Sequence, residues 1–266
     1  MLSFGLDQSG AESRASAVRE LDARGQRGAV NVGRVAERLG CKVEDARLGG
    51  ERGGIEAMLL PDRDSDLFTV RVDPTPHRGW SDVPADLRTE IAHRRRRFRV
   101  AHELAHTLFY DRRPGRAPER AAPVTEAEEQ FCDEFARALL VPPAAARVLP
   151  TTAESVFTLE ARFDVSLELA ARALARSQPG ILVALWYWPP NSPAQAGSLL
   201  RQWCSAKQSS LRRWREIPIV NRALACGEAT GYIPALEEMN PPLWATARAD
   251  QRRRQLLLVA GQAKQP

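Results

Sequence analysis

No pair of the 266-residue chain's four cysteines forms a C-x-x-C motif. Cys41, Cys132, Cys204 and Cys226 are scattered, which excludes a disulfide frame or a cysteine-built zinc module and reads as free thiols in a reducing compartment. Cys132 reads as a small buried residue. No apolar run is long enough to span a bilayer. Met1-Leu2-Ser3-Phe4-Gly5-Leu6-Asp7 lacks the basic and apolar regions of a secretory signal. A cytoplasmic location without membrane attachment is therefore expected. There is also no internal repeat, so a repeat array is not expected. The composition, 44% hydrophobic and 27% charged, is that of an ordinary globular protein with one large domain, or one domain and a smaller one.

The most informative feature is His102-Glu103-Leu104-Ala105-His106, within a stretch from Phe98 to Tyr110 that has a helical pattern. On a helix, positions i and i+4 share one face about a turn apart. Two imidazoles so placed can hold one zinc ion, and the glutamate beside the first can take a proton from the activated water. The motif alone is short. A second helical pattern, Glu126 to Val141 ended by Pro142-Pro143, adds Glu129 and Asp133, again four residues apart. A catalytic zinc needs three protein ligands and an open position. Glu129 can be the third ligand, and Asp133 can accept the other ring N–H of a ligating histidine. Glu126 and Glu128 compete with Glu129, which is favoured because it alone pairs with Asp133 at i,i+4. Glu128 is expected to point elsewhere on the helix. The plain alternative is two satisfied helix histidines and a solvated acidic face.

Three blocks of this chain, in order, resemble the ImmA/IrrE family of zinc metallopeptidases. They are Arg95-Arg96-Arg97-Phe98-Arg99-Val100-Ala101 running into His102-Glu103-Leu104-Ala105-His106; Glu129-Gln130-Phe131-Cys132-Asp133-Glu134-Phe135-Ala136 followed by Leu139-Leu140-Val141-Pro142; and the helical pair from Leu159 to Leu174. The resemblance covers about residues 15–178. The family usually has Asn where this chain has Asp133, which keeps the histidine-orienting role but changes the charge at the site. The resemblance implies a bacterial helix-turn-helix repressor as the protein substrate, cleaved in a stress, mobile-element or toxin–antitoxin setting. The implied metal is Zn²⁺, with Mn²⁺ or Fe²⁺ also compatible with the ligand set.

Elsewhere the chain reads as α+β: a small sheet packed on zincin-like catalytic helices, then a helical pair, then a small C-terminal α/β unit. Residues 1–14 are polar and read as loose. Residues 15–178 read as the metallopeptidase domain, including the helical pair 153–177 with Ser166 as an N-cap, and residues 181–266 as a second unit of unassigned role. Helical patterns fall near 15–24 and 31–39. Strand-like runs are Lys42–Leu48, Ile55–Leu60 and Leu67–Val72, then Ile181–Trp188 and Leu256–Ala260. A free sheet edge beside the metal is where a peptide could add as a strand. Pro74–Ala92 and Asp111–Thr125 read as loops. His77, His93 and Tyr110 are candidates to steady an oxyanion, none of them firmly assigned.

Residues 181–266 hold 11 Lys/Arg against 5 Asp/Glu, a net of +6, which leaves −1 for residues 1–180 of a chain of net +5. This excess could face nucleic acid or an acidic partner, although a solvated arginine-rich surface is the favoured explanation. The basic run His93–Arg99 reads in the same two ways, and its position favours pairing with acidic residues of the core or of a substrate. Two rivals to the zinc endopeptidase follow. One is a non-proteolytic regulatory protein that binds DNA or a repressor through its basic C-terminal unit. The other is an aminopeptidase, for which no acidic anchor is evident. The intact Glu103 argues against the first.

Overall fold

The computed structural model describes residues 7–22, 28–48, 55–74, 84–120, 122–189, 192–195, 199–205, 218–233 and 243–261. Among these residues the chain forms eight α-helices and ten strands in a mixed α+β arrangement. Its contacts divide it into two compact units: residues 1–142 with 162–164, and residues 143–161 with 165–266.

The first unit opens with α1 (Gln8–Arg19), whose N-cap Asp7 accepts the Gly10 N–H at 2.8 Å. Residues 8–14, expected to be loose, are therefore helical. Ala11, Ala15 and Val18 make a narrow buried stripe against α4 (Glu126–Leu140), and polar neighbours mask that stripe in the sequence. Helix α2 (Val32–Arg38) is capped by Asn31. The chain turns after it at Gly40, where φ is +71° and the Arg112 guanidinium lies where a Cβ would stand.

Strands β1 (Cys41–Asp45), β2 (Ala57–Pro61) and β3 (Phe68–Val72) form a sheet of order β1-β3-β2, with β1 parallel and β2 antiparallel to β3. In the central strand Phe68, Val70 and Val72 are buried. Helix α3 (Ala85–His106) packs on β2 and β3. Its Val100, Ala101, Leu104 and Ala105 are fully buried. The helix starts at Ala85, inside the segment expected to be a loop, because Leu87 is already part of the core. His77 lies outside the described residues.

The basic run is neutralised within this unit. Arg95 and Arg99 pair with Glu56, Arg96 with Asp45, and Arg94 with Glu90 and Asp164. Buried Arg97 donates to the Phe163 and Asp164 carbonyls and, at 3.0 Å, to that of Val30. Burial pushes the Asp164 carboxyl up, but hydrogen bonds and charges from Arg94, Arg97 and His93 outweigh it and hold the group below the ordinary aspartate value.

Helix α3 stops at His106 rather than running on to Tyr110. Thr107 Oγ1 bonds the Leu104 carbonyl at 2.6 Å, and a 3₁₀ turn, Thr107–Phe109, follows. Tyr110 then opens a strand, β4 (Tyr110–Asp111), paired with β5 (Glu119–Arg120). The region expected to be a loop thus holds a short hairpin.

In the second unit, α5 (Pro143–Arg147), α6 (Ala153–Phe163, save its last two residues) and α7 (Leu167–Ser177) accompany a five-stranded antiparallel sheet. Ser166 caps α7 as expected. The sheet comprises β6 (Leu182–Tyr187), β7 (Leu200–Cys204), β8 (Glu228–Ile233), β9 (Leu243–Asp250) and β10 (Gln255–Gly261), in the order β7-β6-β10-β9-β8. The two apolar runs read as strands are its adjacent central pair, β6 and β10. Helix α8 (Pro218–Cys226) packs on β8, β9 and β10, burying Leu256, Leu258 and Ala260. The alternate residues Val183, Leu185, Leu257 and Val259 are equally buried, and α7 packs on β6. Burial on both faces explains the unbroken apolar runs. The helical pair groups mainly with this sheet, not with the first unit. Glu160 pairs with Arg253 at 2.6 Å, Glu154 with Arg248, and the Ala153 N–H donates to Thr246 Oγ1. Trp214 lies outside the described residues. Among the described residues no helix is long and apolar enough to cross a membrane.

Candidate metal centre

Helices α3 and α4 pack side by side and set the site between them. Helix α3 brings His102, Glu103 and His106, while α4 brings Glu128, Glu129 and Asp133. Thr125 starts α4, its hydroxyl accepting the Glu128 N–H at 3.2 Å. Phe131, Phe135 and Leu139 anchor the buried side of that helix. Phe131 meets Phe109 edge-on at 5.5 Å between centroids. These apolar contacts fix how both helices are turned, and hence where their polar side chains converge.

His102, His106 and Glu129 each present one donor atom within 4.8 Å of the other two. Glu129 lies 3.1 Å from His102 Nε2 and 3.5 Å from His106 Nε2. It is half exposed, so the cluster opens to solvent on that side. The far side of each ring is tied down. Asp133 Oδ1 is 3.0 Å from His102 Nδ1, and Glu128 Oε1 is 2.6 Å from His106 Nδ1. A carboxylate can only accept, so each Nδ1 donates. In a neutral ring this leaves an Nε2 lone pair facing Glu129. Two lone pairs and a carboxylate brought together repel one another unless a cation lies among them. The donor set, two imidazoles and a carboxylate with backed Nδ1 atoms, fits a zinc-like divalent ion.

Behind the carboxylates stand two arginines. Arg137 donates to Asp133 at 2.6 Å and to Glu134 at 2.7 Å. Arg120, from β5, donates to the second oxygen of Glu128. Burial lowers the His102 pKa, but Asp133, Glu103 and Glu129 outweigh it, and the ring is held above its ordinary value. Burial raises the Glu103 carboxyl. His106 and His102 oppose this without cancelling it, so the group sits above the usual glutamate range. The Leu59 backbone of edge strand β2 lies near Glu103 and weakly opposes that rise.

The structure therefore brings His102, Glu103, His106, Glu129 and Asp133 into one cluster. It adds Glu128, which was expected to point elsewhere. Glu128 does lie on a different face from Asp133, and that face meets the other histidine. The residue pair Glu128-Glu129 carried the signal, since adjacent carboxylates on one helix can serve two rings one turn apart on its neighbour. His93 is bonded to Asp164 at 2.9 Å. It precedes His102 by nine helical residues, about 13 Å, and does not join the cluster. Tyr110 packs edge-on against Phe68 and beneath the Arg120 guanidinium. Cys132 is buried, and burial with the surrounding carboxylates pushes its thiol pKa up.

Residues 87–175, which contain this cluster, match the Peptidase_M78 family model, described as an IrrE N-terminal-like domain. This stretch is similar to that peptidase family. The match to the IrrE N-terminal-like domain begins in α3 and ends in α7. It thus includes all three sequence blocks on which the resemblance rested. A solved Mycobacterium tuberculosis transcriptional regulator is similar at 15% identity and a TM-score of 0.44, over 94% of this chain and 75% of that one. That likeness is too distant to assign fold or activity. No curated protein matches the chain.

Proposed function

We propose that the protein is a zinc-dependent endopeptidase. The observation that carries this reading is the convergence of His102 Nε2, His106 Nε2 and Glu129 on one point, with both Nδ1 atoms held by carboxylates. His102, His106 and Glu129 would hold the ion. Once bound, it supplies Lewis acidity, bringing the pKa of a water to about 7 and polarising the scissile carbonyl. Glu103 takes the proton from the attacking water on its carboxylate and delivers it to the departing amine.

The substrate enters as an extended strand along β2. Strand β2 is at the edge of the three-stranded sheet. Its Leu59 backbone lies near Glu103 and β2 packs on α3, so that edge runs beside the reacting groups, and backbone pairing there would orient a peptide for cleavage. By family resemblance the substrate is a helix-turn-helix repressor. Direct DNA binding has no support from the His93–Arg99 run, whose described arginines are paired internally.

Elemental analysis of the purified wild type and of Glu129→Ala tests the reading. One zinc per wild-type chain, lost in the variant, is expected. A metal-free wild type after zinc supply would remove the peptidase reading.

A further inference from the structure

The two histidines are backed unequally. Asp133 is partly exposed (39%), and it and its partner Arg137 are one turn apart on the same helix. Glu128 is 5% exposed, and its partner Arg120 comes from a separate element, the β4–β5 hairpin. Both Glu128 oxygens are engaged, one by His106 Nδ1 at 2.6 Å and the other by the Arg120 guanidinium. Arg120 is itself held in three ways. Its Nε donates to the Ala122 carbonyl at 3.0 Å, its guanidinium lies 5.1 Å from the Tyr110 ring centroid, and its backbone pairs with that of Tyr110 across the hairpin. Tyr110 in turn packs edge-on against Phe68 at the start of β3.

From this we infer that Arg120 is a positioning residue for the metal centre, acting through Glu128 on His106, so that the β4–β5 hairpin sets the affinity and geometry of the bound ion. The inference rests on the metal-site reading above. A nearly fully buried carboxylate that loses the charged one of its two partners must find another or shift its side chain. Either response releases His106 Nδ1 from a short, charge-assisted bond. The ring can then rotate, or take the tautomer with its proton on the metal-facing nitrogen. Removal of such an outer partner typically weakens metal binding by about 10- to 100-fold. The hairpin is thereby coupled to the site although neither of its strands supplies a ligand. A substrate or partner that displaced Tyr110 or Arg120 would loosen the metal.

The test uses the full-length chain, stripped of metal and titrated with Zn²⁺ against a chromophoric chelator, then loaded with Co²⁺ for visible absorption. The set is wild type, Arg120→Ala, Arg120→Lys, Glu128→Gln and Glu129→Ala. We expect zinc affinity about 10- to 100-fold lower in Arg120→Ala and Glu128→Gln, with an altered Co²⁺ spectrum. Arg120→Lys should recover part of the affinity, because a point charge replaces the fork. Wild-type affinity and an unchanged spectrum in both Arg120→Ala and Glu128→Gln would overturn the inference while leaving the metal site intact. Should Arg120→Ala fail to fold by circular dichroism, Arg120→Gln, which keeps much of the side-chain length without the charge, takes its place, and wild-type affinity and spectrum in it would equally overturn the inference. Full zinc binding by Glu129→Ala, or none by wild type, is a failure of the metal-site reading itself.

Discussion

Glu103 is nearly buried between two imidazoles and the edge of β2, so substituting it separates binding from chemistry. Glu103→Gln should keep one metal per chain and lose about 10²- to 10⁴-fold in peptide hydrolysis. Cleavage at the wild-type rate with metal bound would dismiss the proton-transfer role. Asp164 makes a second residue-scale prediction, on stability. Its folded pKa lies below the ordinary value. Its contribution is therefore present above about pH 4 and is lost as pH falls through the folded pKa. Asp164 has φ +49°, a conformation that Asn tolerates. Asp164→Asn should thus be less stable than wild type at pH 6 by about 1 kcal/mol or less, since the pair is partly exposed. The gap should close as pH falls through the folded pKa of Asp164. Urea unfolding at several pH values measures it, and a gap that is constant with pH would assign the effect to something other than charge.

At the scale of elements, the site depends on the contact between α3 and α4. Leu104 is fully buried on the core side of α3, between His102 and His106 of the candidate metal cluster. Leu104→Ala should cost about 2–5 kcal/mol and weaken metal binding in proportion to the loss of helix alignment. Equilibrium unfolding with and without zinc reads both effects. Thr125 is the side-chain cap of α4. Thr125→Ala should cost about 1 kcal/mol and act on the turn that carries Glu128 and Glu129. A Thr125→Ala variant with unchanged unfolding midpoint would show that tertiary contacts alone hold that turn. The α3 arginines are also an element-scale feature. Five of them in six residues look like a nucleic-acid stripe in one dimension. On the helix, residues 95 and 99 share one face and meet Glu56, whereas 94 and 97 share another and meet Asp164.

For the whole molecule, all the candidate ligands lie in the first compact unit. A ligand stabilises only the unit whose folded state binds it. Calorimetry of the zinc-loaded chain should show chelator lowering the transition of that unit and leaving the transition of the C-terminal sheet in place. One transition shifting as a whole would mean that the two units unfold together.

Much of the site was legible in the sequence. The spacing of His102 and His106, and of Glu129 and Asp133, follows from the 3.6-residue period, so any helix there puts each pair on one face. The apolar strands Leu182–Tyr187 and Gln255–Gly261 were legible for a similar reason, because burial on both faces leaves no polar position to obscure them. Residues 8–14 were not legible, because their helix is held by a stripe of alanines that shows only against α4. Nor was the role of Glu128, because which face of α4 meets His106 depends on how two helices are rotated against each other, a matter of packing. The hairpin that delivers Arg120 was hidden too, since strands of two residues carry no periodicity. The sequence by itself determined which candidate ligand side chains each helix carries and their spacing along it. Only the tertiary structure decided which carboxylate backs which histidine, because that pairing joins residues on separate elements whose relative rotation is set by the core between them.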